Sequence, residues 1–146
     1  HFDKVISSNL KTAFVMSSLA IPIMEKQKRG HIINFTSQAG YDGGGPGAAA
    51  YASAKAGIAA FTKGLVKELE GKNIICNAVS PGFIQQTRFH NTFTSKEVHS
   101  KVKGVVPLKR LGNASDVADL VLFLCSKRSS YINGASIHIN GGLLLV

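Results

Sequence analysis

Three short apolar segments rich in β-branched residues occur along the chain, and helix-length segments separate them. The three segments cover residues 31–37, 73–82 and 135–140. Strands that alternate with helices form parallel sheets with right-handed crossovers, since each helix returns the chain to the edge at which the previous strand began. The pattern predicts an α/β fold, with flanking helices around a three-stranded parallel sheet, in one partial domain over residues 1–146.

The helices predicted around these strands cover residues 3–26, 50–69 and 113–129. Their apolar stripes comprise Leu10, Phe14, Ser17 or Ser18 and Ile21; Ile58, Phe61, Leu65 and Leu69; and Val117, Leu120, Val121 and Leu124. Pro22 is expected to kink or locally break the first helix, because proline lacks a backbone N–H, and Gly30 is expected to end it. Asn113 or Ser115 can cap the third helix. Residues 83–112 show no long regular pattern, so we predict an irregular, lid-like region with short helices there.

The formal net charge of +9 raises the question of nucleic-acid binding. The densest basic stretch holds only Lys26, Lys28 and Arg29, and no zinc-finger, RNP or basic-zipper pattern occurs. A solvated basic surface without a nucleic-acid partner is therefore the favoured interpretation. The histidines have no partners at metal-ligand spacing, so we predict no metal site.

Several features bear on where the protein resides. No apolar run approaches the roughly 18 residues that span a bilayer, and no signal-peptide pattern occurs. Cys76 and Cys125 lie in apolar runs and are predicted to be buried free thiols, as in a reducing compartment. We expect a cytoplasmic protein with no membrane partner. The chain begins at His1 and its first strand would leave a bare apolar edge, so we also expect it to be part of a longer protein.

The stretch GYDGGGPGAAAYASAK, residues 40–55, places a run of glycines between a predicted strand and a predicted helix. Loops in this position cradle phosphates when they follow the pattern G-x-x-x-x-G-K-[ST] or G-x-G-x-x-G. The first pattern is absent, and the second is met only in its variant ending in alanine. Pro46 also removes an amide donor that a phosphate nest needs. We therefore interpret the run as a flexible or sharply turning connector.

Tyr51 and Lys55 follow the glycines and share one helix face, because they are four residues apart. A neighbouring ammonium favours the phenolate form of a tyrosine, which can then exchange a proton with an alcohol or a forming alkoxide. An ordinary amphipathic helix start is the alternative, since this spacing is common. Ser37 ends a predicted parallel strand, at the edge where open α/β sheets bind ligands. We therefore expect the serine, the tyrosine and the lysine to converge on one site.

Six segments, in this order along the chain, resemble segments of the short-chain dehydrogenase/reductase family. They are NL (9–10), GHIINFTSQAG (30–40), YASAKAGI (51–58), NAVSPGFI (77–84), PLKRLGNASDVA (107–118) and SSYINGASIHINGG (129–142). The resemblance implies the C-terminal portion of a Rossmann-like, doubly wound parallel sheet, without its N-terminal cofactor half. It implies an oxidoreductase that interconverts a ketone and a secondary alcohol by hydride transfer with NAD or NADP. A reductase of the 3-oxoacyl-carrier-protein type is the default within the family.

The resemblance also implies roles for individual residues. Tyr51 would be the catalytic acid/base, and Lys55 would stabilise its phenolate and hydrogen-bond the nicotinamide ribose. Ser37 would hydrogen-bond the substrate carbonyl as it becomes an oxyanion. Asn9 would hold a water that links Lys55 to solvent.

The cofactor contacts and partners that the resemblance implies complete these expectations. The cofactor residues are Tyr51, Lys55, Pro81, Gly82, Ile84 and Thr87. The implied partners are a small-molecule carbonyl or alcohol substrate and further copies of the chain, in a homodimer or homotetramer. The family's glycine-rich pyrophosphate turn does not occur in these 146 residues, so the choice between NAD and NADP stays open. A non-catalytic fragment or assembly module is the alternative interpretation.

Overall fold

The computed structural model describes residues 1–85 and 96–146, and its elements follow the predicted order. The strands are β1 (Gly30–Phe35), β2 (Ile74–Pro81) and β3 (Ser136–Ile139). The α-helices are α1 (Phe2–Ile6), α2 (Thr12–Gln27), α3 (Ala39–Asp42), α4 (Ala49–Glu68), α5 (Lys96–Val105) and α6 (Ala114–Leu124). A π-helical turn at Ser7–Lys11 joins α1 to α2, and a 3₁₀ turn at Lys127–Ser129 follows α6.

The three strands form one parallel sheet in the order β1-β2-β3, which confirms the predicted fold class. In register, Ile32 lies opposite Cys76, and Ala78 lies opposite Ser136. The central strand β2 is buried along most of its length, which explains its nearly continuous apolar sequence. Because the strands are parallel, their carboxyl ends meet at one edge of the sheet.

The end of α2 differs from the prediction. The helix continues for five residues beyond Pro22, so the predicted break there is wrong. Its last residue is Gln27, and Lys28 rather than Gly30 closes the helix, because Lys28 adopts a left-handed φ of 56°. The Asn73 side-chain amide donates to the Lys28 carbonyl at 2.7 Å and holds this turn, and Gly30 begins β1.

The apolar stripe predicted for the first helix is buried only in part. Ser17 is buried, whereas Phe14 is 55% exposed and packs one side of its ring on Phe61, with 5.6 Å between the ring centroids. The reason is that α2 contacts the core through Ile21 and Met24.

The core lies between α4 and the sheet, where the predicted α4 stripe supplies much of the buried surface. The central cluster comprises Ile32, Leu65, Leu69, Ile74 and Cys76. One polar contact crosses this region: the Asn34 amide on β1 donates to Thr62 Oγ1 on α4 at 3.0 Å, and that hydroxyl donates to the Ile58 carbonyl at 2.8 Å. Because a buried amide must find a hydrogen-bond partner, the bond from Asn34 to Thr62 fixes the position of α4 on β1.

The two cysteines are both free thiols, but only one of them is buried. Cys76 lies on β2, and burial raises the pKa of its thiol to about 11. Cys125 is exposed, so the prediction that it is buried is wrong. Cys125 follows the last residue of α6, so the apolar run in the sequence extends past the end of the helix to an exposed position.

Two absences concern the part of the chain that the structure describes. None of its helices combines the length and the apolarity that crossing a bilayer requires. No group of three His, Cys, Asp or Glu side chains within residues 1–85 and 96–146 is arranged to hold a metal ion.

Two glycines permit the close packing that positions α4. A Cβ on Gly40 of α3 would lie 2.8 Å from the Ala56 nitrogen and 2.9 Å from the Lys55 carbonyl carbon, both backbone atoms of α4. A Cβ on Gly57 would lie 2.9 Å from Leu10 Cδ2 in the π-helical turn. α4 therefore lies against α3 at a distance that only glycine permits, and it packs closely on the Leu10 side chain of the π-helical turn.

Asp116 stabilises the start of α6, where the structure confirms Asn113 as the N-cap. Its carboxylate accepts hydrogen bonds from Arg110 Nη1 at 2.7 Å, from Arg110 Nη2 at 2.8 Å and from the Asn113 backbone N–H at 2.7 Å. The Arg110 hydrogen bonds, followed by the Asn113 backbone bond, lower the pKa of Asp116 from 3.8 to about 2. The segment before α6 is thereby tied to its first turn.

We predict that Gly40→Ala destabilises the protein by about 1–3 kcal/mol, because its Cβ meets backbone atoms that cannot rotate away. Gly45→Ala is the matched control in the same loop, since a Cβ there meets nothing within 4 Å. The control should change the free energy of unfolding by less than about 1 kcal/mol. Urea unfolding of both variants of the full polypeptide that contains this chain checks the prediction. Equal stability of the two variants would contradict the close packing.

We also predict how Asp116 affects stability as pH changes. Folding lowers the pKa of this carboxyl, so its stabilisation is fully present above 3.8 and is lost as pH falls towards about 2. Asp116→Asn should therefore unfold at lower urea concentration than wild type at neutral pH, and the difference should shrink in this acidic window. Urea midpoints of both proteins over a pH series test this, and a difference that widens with acid would refute it.

Candidate active site

Backbone hydrogen bonds continue the pairing of β1 with β2 beyond the last residue of β1. The Thr36 N–H donates to the Val79 carbonyl at 2.9 Å, and the Gln38 N–H donates to the Pro81 carbonyl at 3.0 Å. Ser37 lies between these two residues. The segment after β1 is therefore held beside the end of β2, at the edge where parallel sheets bind ligands.

Ser37 lies in the turn that leads into α3. Its Oγ accepts a hydrogen bond from the Ala39 N–H at 3.2 Å, and its carbonyl accepts one from the Gly40 N–H at 2.9 Å. A serine hydroxyl that accepts in this way keeps its own hydrogen to donate. The turn therefore fixes the oxygen of Ser37 while leaving its O–H group able to donate to a ligand.

Lys55 connects α4 to the end of β1. Its Nζ donates to the Phe35 carbonyl at 2.9 Å and lies 5.6 Å from the centroid of the Tyr51 ring. Burial lowers the pKa of the Lys55 ammonium below its usual range. The ammonium has three N–H donors, so two of them can serve a ligand while Phe35 accepts the third.

Tyr51 lies in the first turn of α4, one turn before Lys55 on the same helix face. It lines the cleft that Ser37 and Lys55 also line. The competing tyrosine, Tyr41, is not among the lining residues, and its ring packs edge-on against His138 with 4.4 Å between centroids. Of the two tyrosines, Tyr51 is therefore the one that lines the cleft, and its role as the acid/base stays a prediction.

One wall of the cleft is formed by residues 81–84, whose backbone is held from two sides. The Gly82 N–H donates to the Ile139 carbonyl at 3.0 Å, and Ile84 forms an isolated parallel bridge with Gly112. A Cβ on Gly112 would lie 2.5 Å from Ile84 Cδ1, so the Ile84 side chain packs directly on Gly112 beside this bridge. The wall is therefore a fixed, largely apolar surface.

Asn9 lies apart from the other predicted site residues. It belongs to the π-helical turn, and its amide donates to the Val5 carbonyl at 3.0 Å. It is not among the residues that line the cleft, and in the described ranges no hydrogen bond joins Asn9 to Lys55. π-Helical turns occur frequently at functional sites, and this one packs on α4 at Gly57, two residues beyond Lys55.

The cleft has a volume of about 700 Å³. The predicted site residues that line it are Ser37, Tyr51, Lys55, Pro81, Gly82 and Ile84. Thr87 lies outside the described residues. The predicted lid-like region contributes Val102 on α5 to the lining. Because Lys55 keeps two donors beside an apolar wall, the residues present fit a nicotinamide ring with its ribose hydroxyls.

The glycine run connects α3 to α4 and makes hydrogen bonds within this connection. The Gly43 N–H donates to the Ala39 carbonyl at 3.0 Å, and the Ala48 N–H donates to the Gly45 carbonyl at 3.0 Å. Positive φ angles of 84°, 69° and 82° at Gly43, Gly44 and Gly47 turn the chain sharply between α3 and α4.

Gln38 and Asp42 are lining residues that sequence reasoning missed. The Gln38 Nε2 donates to Asp42 Oδ2 at 2.9 Å, and Asp42 Oδ1 accepts from the Gly44 N–H at 2.8 Å. The available signal was a polar pair four residues apart directly after the strand. It was not recognised because α3 has only four residues and so shows no helical periodicity.

Comparisons with known proteins bear on the family to which the chain belongs. A family model described as enoyl-(acyl carrier protein) reductase matches residues 1–144. The 3-oxoacyl-[acyl-carrier-protein] reductase of Aquifex aeolicus is 41% identical over 142 residues, which are 97% of this chain and 56% of that protein. The enzyme of the same name from Rickettsia felis is 42% identical over 145 residues, 99% of this chain and 59% of that protein.

A solved structure extends the comparison to the fold. The crystal structure of a protein from Thermus thermophilus matches with a TM-score of 0.90 at 25% identity, over 97% of this chain and 60% of that one. The chain thus spans a little under three fifths of the length of the curated relatives, and it corresponds to their C-terminal part. With a family model matched over nearly every residue and the expected parallel sheet in place, the chain belongs to the short-chain dehydrogenase/reductase family.

Proposed function

We propose that the protein containing this chain is an NAD- or NADP-dependent oxidoreductase that interconverts a ketone and a secondary alcohol. The observation that carries the proposal is that Ser37, Tyr51 and Lys55 line one cleft, although they come from the end of β1 and from α4. The printed name of the curated relatives, 3-oxoacyl-[acyl-carrier-protein] reductase, supports a carbonyl substrate. That these relatives are named as enzymes argues against a non-catalytic assembly module.

Tyr51 is the acid/base in this proposal. When bound, the nicotinamide supplies the hydride for reduction of the carbonyl carbon, or accepts it in the reverse direction. During reduction, the Ser37 O–H donates a hydrogen bond to the carbonyl oxygen, and the Tyr51 phenol transfers its proton to that oxygen as it becomes an alkoxide. The π bond of the carbonyl group breaks while a C–H and an O–H bond form, and the C–O single bond remains. Tyr51 is left as a phenolate.

Lys55 stabilises this phenolate through its ammonium charge. The hydrogen bond from Nζ to the Phe35 carbonyl supports this role, because it restrains the ammonium near the Tyr51 ring. Its other donors would bind the ribose hydroxyls of the cofactor. We assign Asn9 to a water that carries protons between Lys55 and solvent, which the position of the π-helical turn against α4 supports.

The cofactor site is assigned to the wall and the adjacent catalytic residues. Pro81, Gly82 and Ile84 would position the nicotinamide ring, together with Thr87, which lies outside the described residues. The choice between NAD and NADP is tested by titrating each reduced cofactor in turn and following its fluorescence. A cytoplasmic location and assembly into a homodimer or homotetramer complete the proposal. The exposed apolar side chains of Met16 and Leu19 on α2 support assembly with further copies of the chain.

Enoyl reduction is a second candidate, favoured by the printed description of the matched family model. Carbonyl reduction ranks first, because Ser37 and Tyr51 are both O–H donors suited to a single substrate oxygen. The two reactions are separated by incubating the protein with either a 3-oxobutanoyl thioester or a 2-butenoyl thioester and following the absorbance of the reduced cofactor. A turnover rate roughly 10-fold higher with one substrate than with the other decides between them. Faster turnover of the 2-butenoyl thioester would favour the second candidate.

We predict that Tyr51→Phe lowers kcat for carbonyl reduction by roughly 10²–10⁴-fold, because the ring remains but the transferable proton is lost. The dissociation constant of the reduced cofactor should change by only a few-fold. Tyr41→Phe is the matched control and should keep wild-type kinetics, since Tyr41 does not line the cleft. Steady-state kinetics and cofactor fluorescence test both variants, and wild-type turnover in Tyr51→Phe would eliminate this residue as the acid/base.

A further inference from the structure

The short helix α3 places in the cleft a carboxylate that the proposed reaction does not use. Asp42 lines the cleft, and both of its oxygens are held: Oδ2 by Gln38 Nε2 at 2.9 Å and Oδ1 by the Gly44 N–H at 2.8 Å. The ion pairs in the described part of the chain join Lys72 to Glu25 and Arg110 to Asp116, and none involves Asp42. Asp42 is therefore a fixed negative charge without a neutralising cation.

The orientation of Gln38 adds to the negative character of the side of the cleft that Asp42 lines. A carboxylate only accepts hydrogen bonds, so the amide nitrogen of Gln38 must face Asp42 and its oxygen must face away. That oxygen is buried, lies 3.2 Å from where a Cβ on Gly82 would be, and has no hydrogen-bond partner within residues 1–85 and 96–146. The side of the cleft formed by Gln38 and Asp42 thus carries a full negative charge and an uncompensated carbonyl dipole.

Asp42 lies between the two segments that carry the catalytic side chains. α3 follows Ser37 directly, and the loop after Asp42 leads back to Tyr51. A Cβ on Gly44 would lie 2.9 Å from the Cβ of Ala48, so this loop packs closely on the start of α4. The carboxylate is therefore held in the same cleft as the hydroxyl groups that act on the substrate.

We propose that Asp42 is a specificity-determining residue that selects neutral 3-oxo esters and thioesters over free 3-oxo acids. This inference rests on the proposed function. In a 3-oxo acid, one methylene separates the carboxylate from the ketone, so a substrate whose ketone oxygen lies at Ser37 and Tyr51 brings its carboxylate into the cleft with Asp42. Like charges that share a cleft repel, and because the side chain of Asp42 is exposed the repulsion is the moderate one expected in water. An ester or thioester carries no charge there.

Lys55 acts in the opposite direction, as the one cation among the residues found to line the cleft in the described ranges. Its ammonium is fixed to the Phe35 carbonyl, and burial lowers its pKa, which disfavours the charged form. Its attraction for an anionic substrate is the same whether or not Asp42 is present. A comparison that changes only Asp42 therefore isolates the repulsion.

The test measures kcat/KM for ethyl 3-oxobutanoate and for 3-oxobutanoate, in wild type and in Asp42→Asn, with the full polypeptide. The substitution keeps the shape of the side chain, and a rotated Gln38 amide can restore their mutual hydrogen bond. The ratio of ester to acid activity should fall roughly fivefold to tenfold, mainly because the acid becomes a better substrate. Asp42→Ser, which keeps an acceptor for the Gly44 N–H, should show the same direction.

Glu68→Gln is the matched control, because it removes one negative charge from an exposed position about 25 Å along α4 from Tyr51. Its ester-to-acid ratio should stay within about twofold of wild type. A ratio that is unchanged in both Asp42 variants, with wild-type turnover present, overturns this inference and leaves the proposed function standing. A wild-type protein that reduces neither substrate overturns the proposed function, and the inference with it.

Discussion

The backbone hydrogen bonds that continue past the end of β1 are the interaction on which the candidate site depends. They join Thr36 to Val79 and Gln38 to Pro81, so the turn that carries Ser37 cannot move independently of the wall at Gly82. The Thr36 hydroxyl adds a second hydrogen bond to the Val79 carbonyl at 3.0 Å. Because parallel strands end at the same edge, this local pairing places Ser37, just beyond β1, in one cleft with the wall at the end of β2.

The other half of the site depends on how closely α4 can approach its neighbours. The buried Asn34–Thr62 hydrogen bond fixes α4 on β1. Gly40 allows α3 to contact the backbone of α4, and Gly57 allows the Leu10 side chain of the π-helical turn to pack closely on α4. As a result the ammonium of Lys55 reaches the Phe35 carbonyl, from one turn beyond Tyr51. Packing that is remote from the cleft thus sets the positions of Tyr51 and Lys55.

Much of this arrangement could be predicted from the sequence, because it follows from patterns that are local. The apolar segments indicated the parallel sheet, and the spacing of Tyr51 and Lys55 indicated a shared helix face. The π-helical turn around Asn9 could not be predicted, because a change of backbone hydrogen-bond register over a single turn is too short to show in the spacing of apolar residues. Exposure of Cys125 depends on where α6 ends in three dimensions, and the Gln38–Asp42 pair depends on a helix too short to show a pattern.

The central claim is that Tyr51 and Lys55 act as one proton-transfer unit, and a double-mutant cycle tests it most directly. The kcat for carbonyl reduction is measured at saturating cofactor for Tyr51→Phe, for Lys55→Met and for the double variant. If Lys55 acts by stabilising the phenolate of Tyr51, the double variant should be no more than about threefold slower than Tyr51→Phe alone. Losses that multiply in the double variant would show that the two residues act independently and would contradict the account.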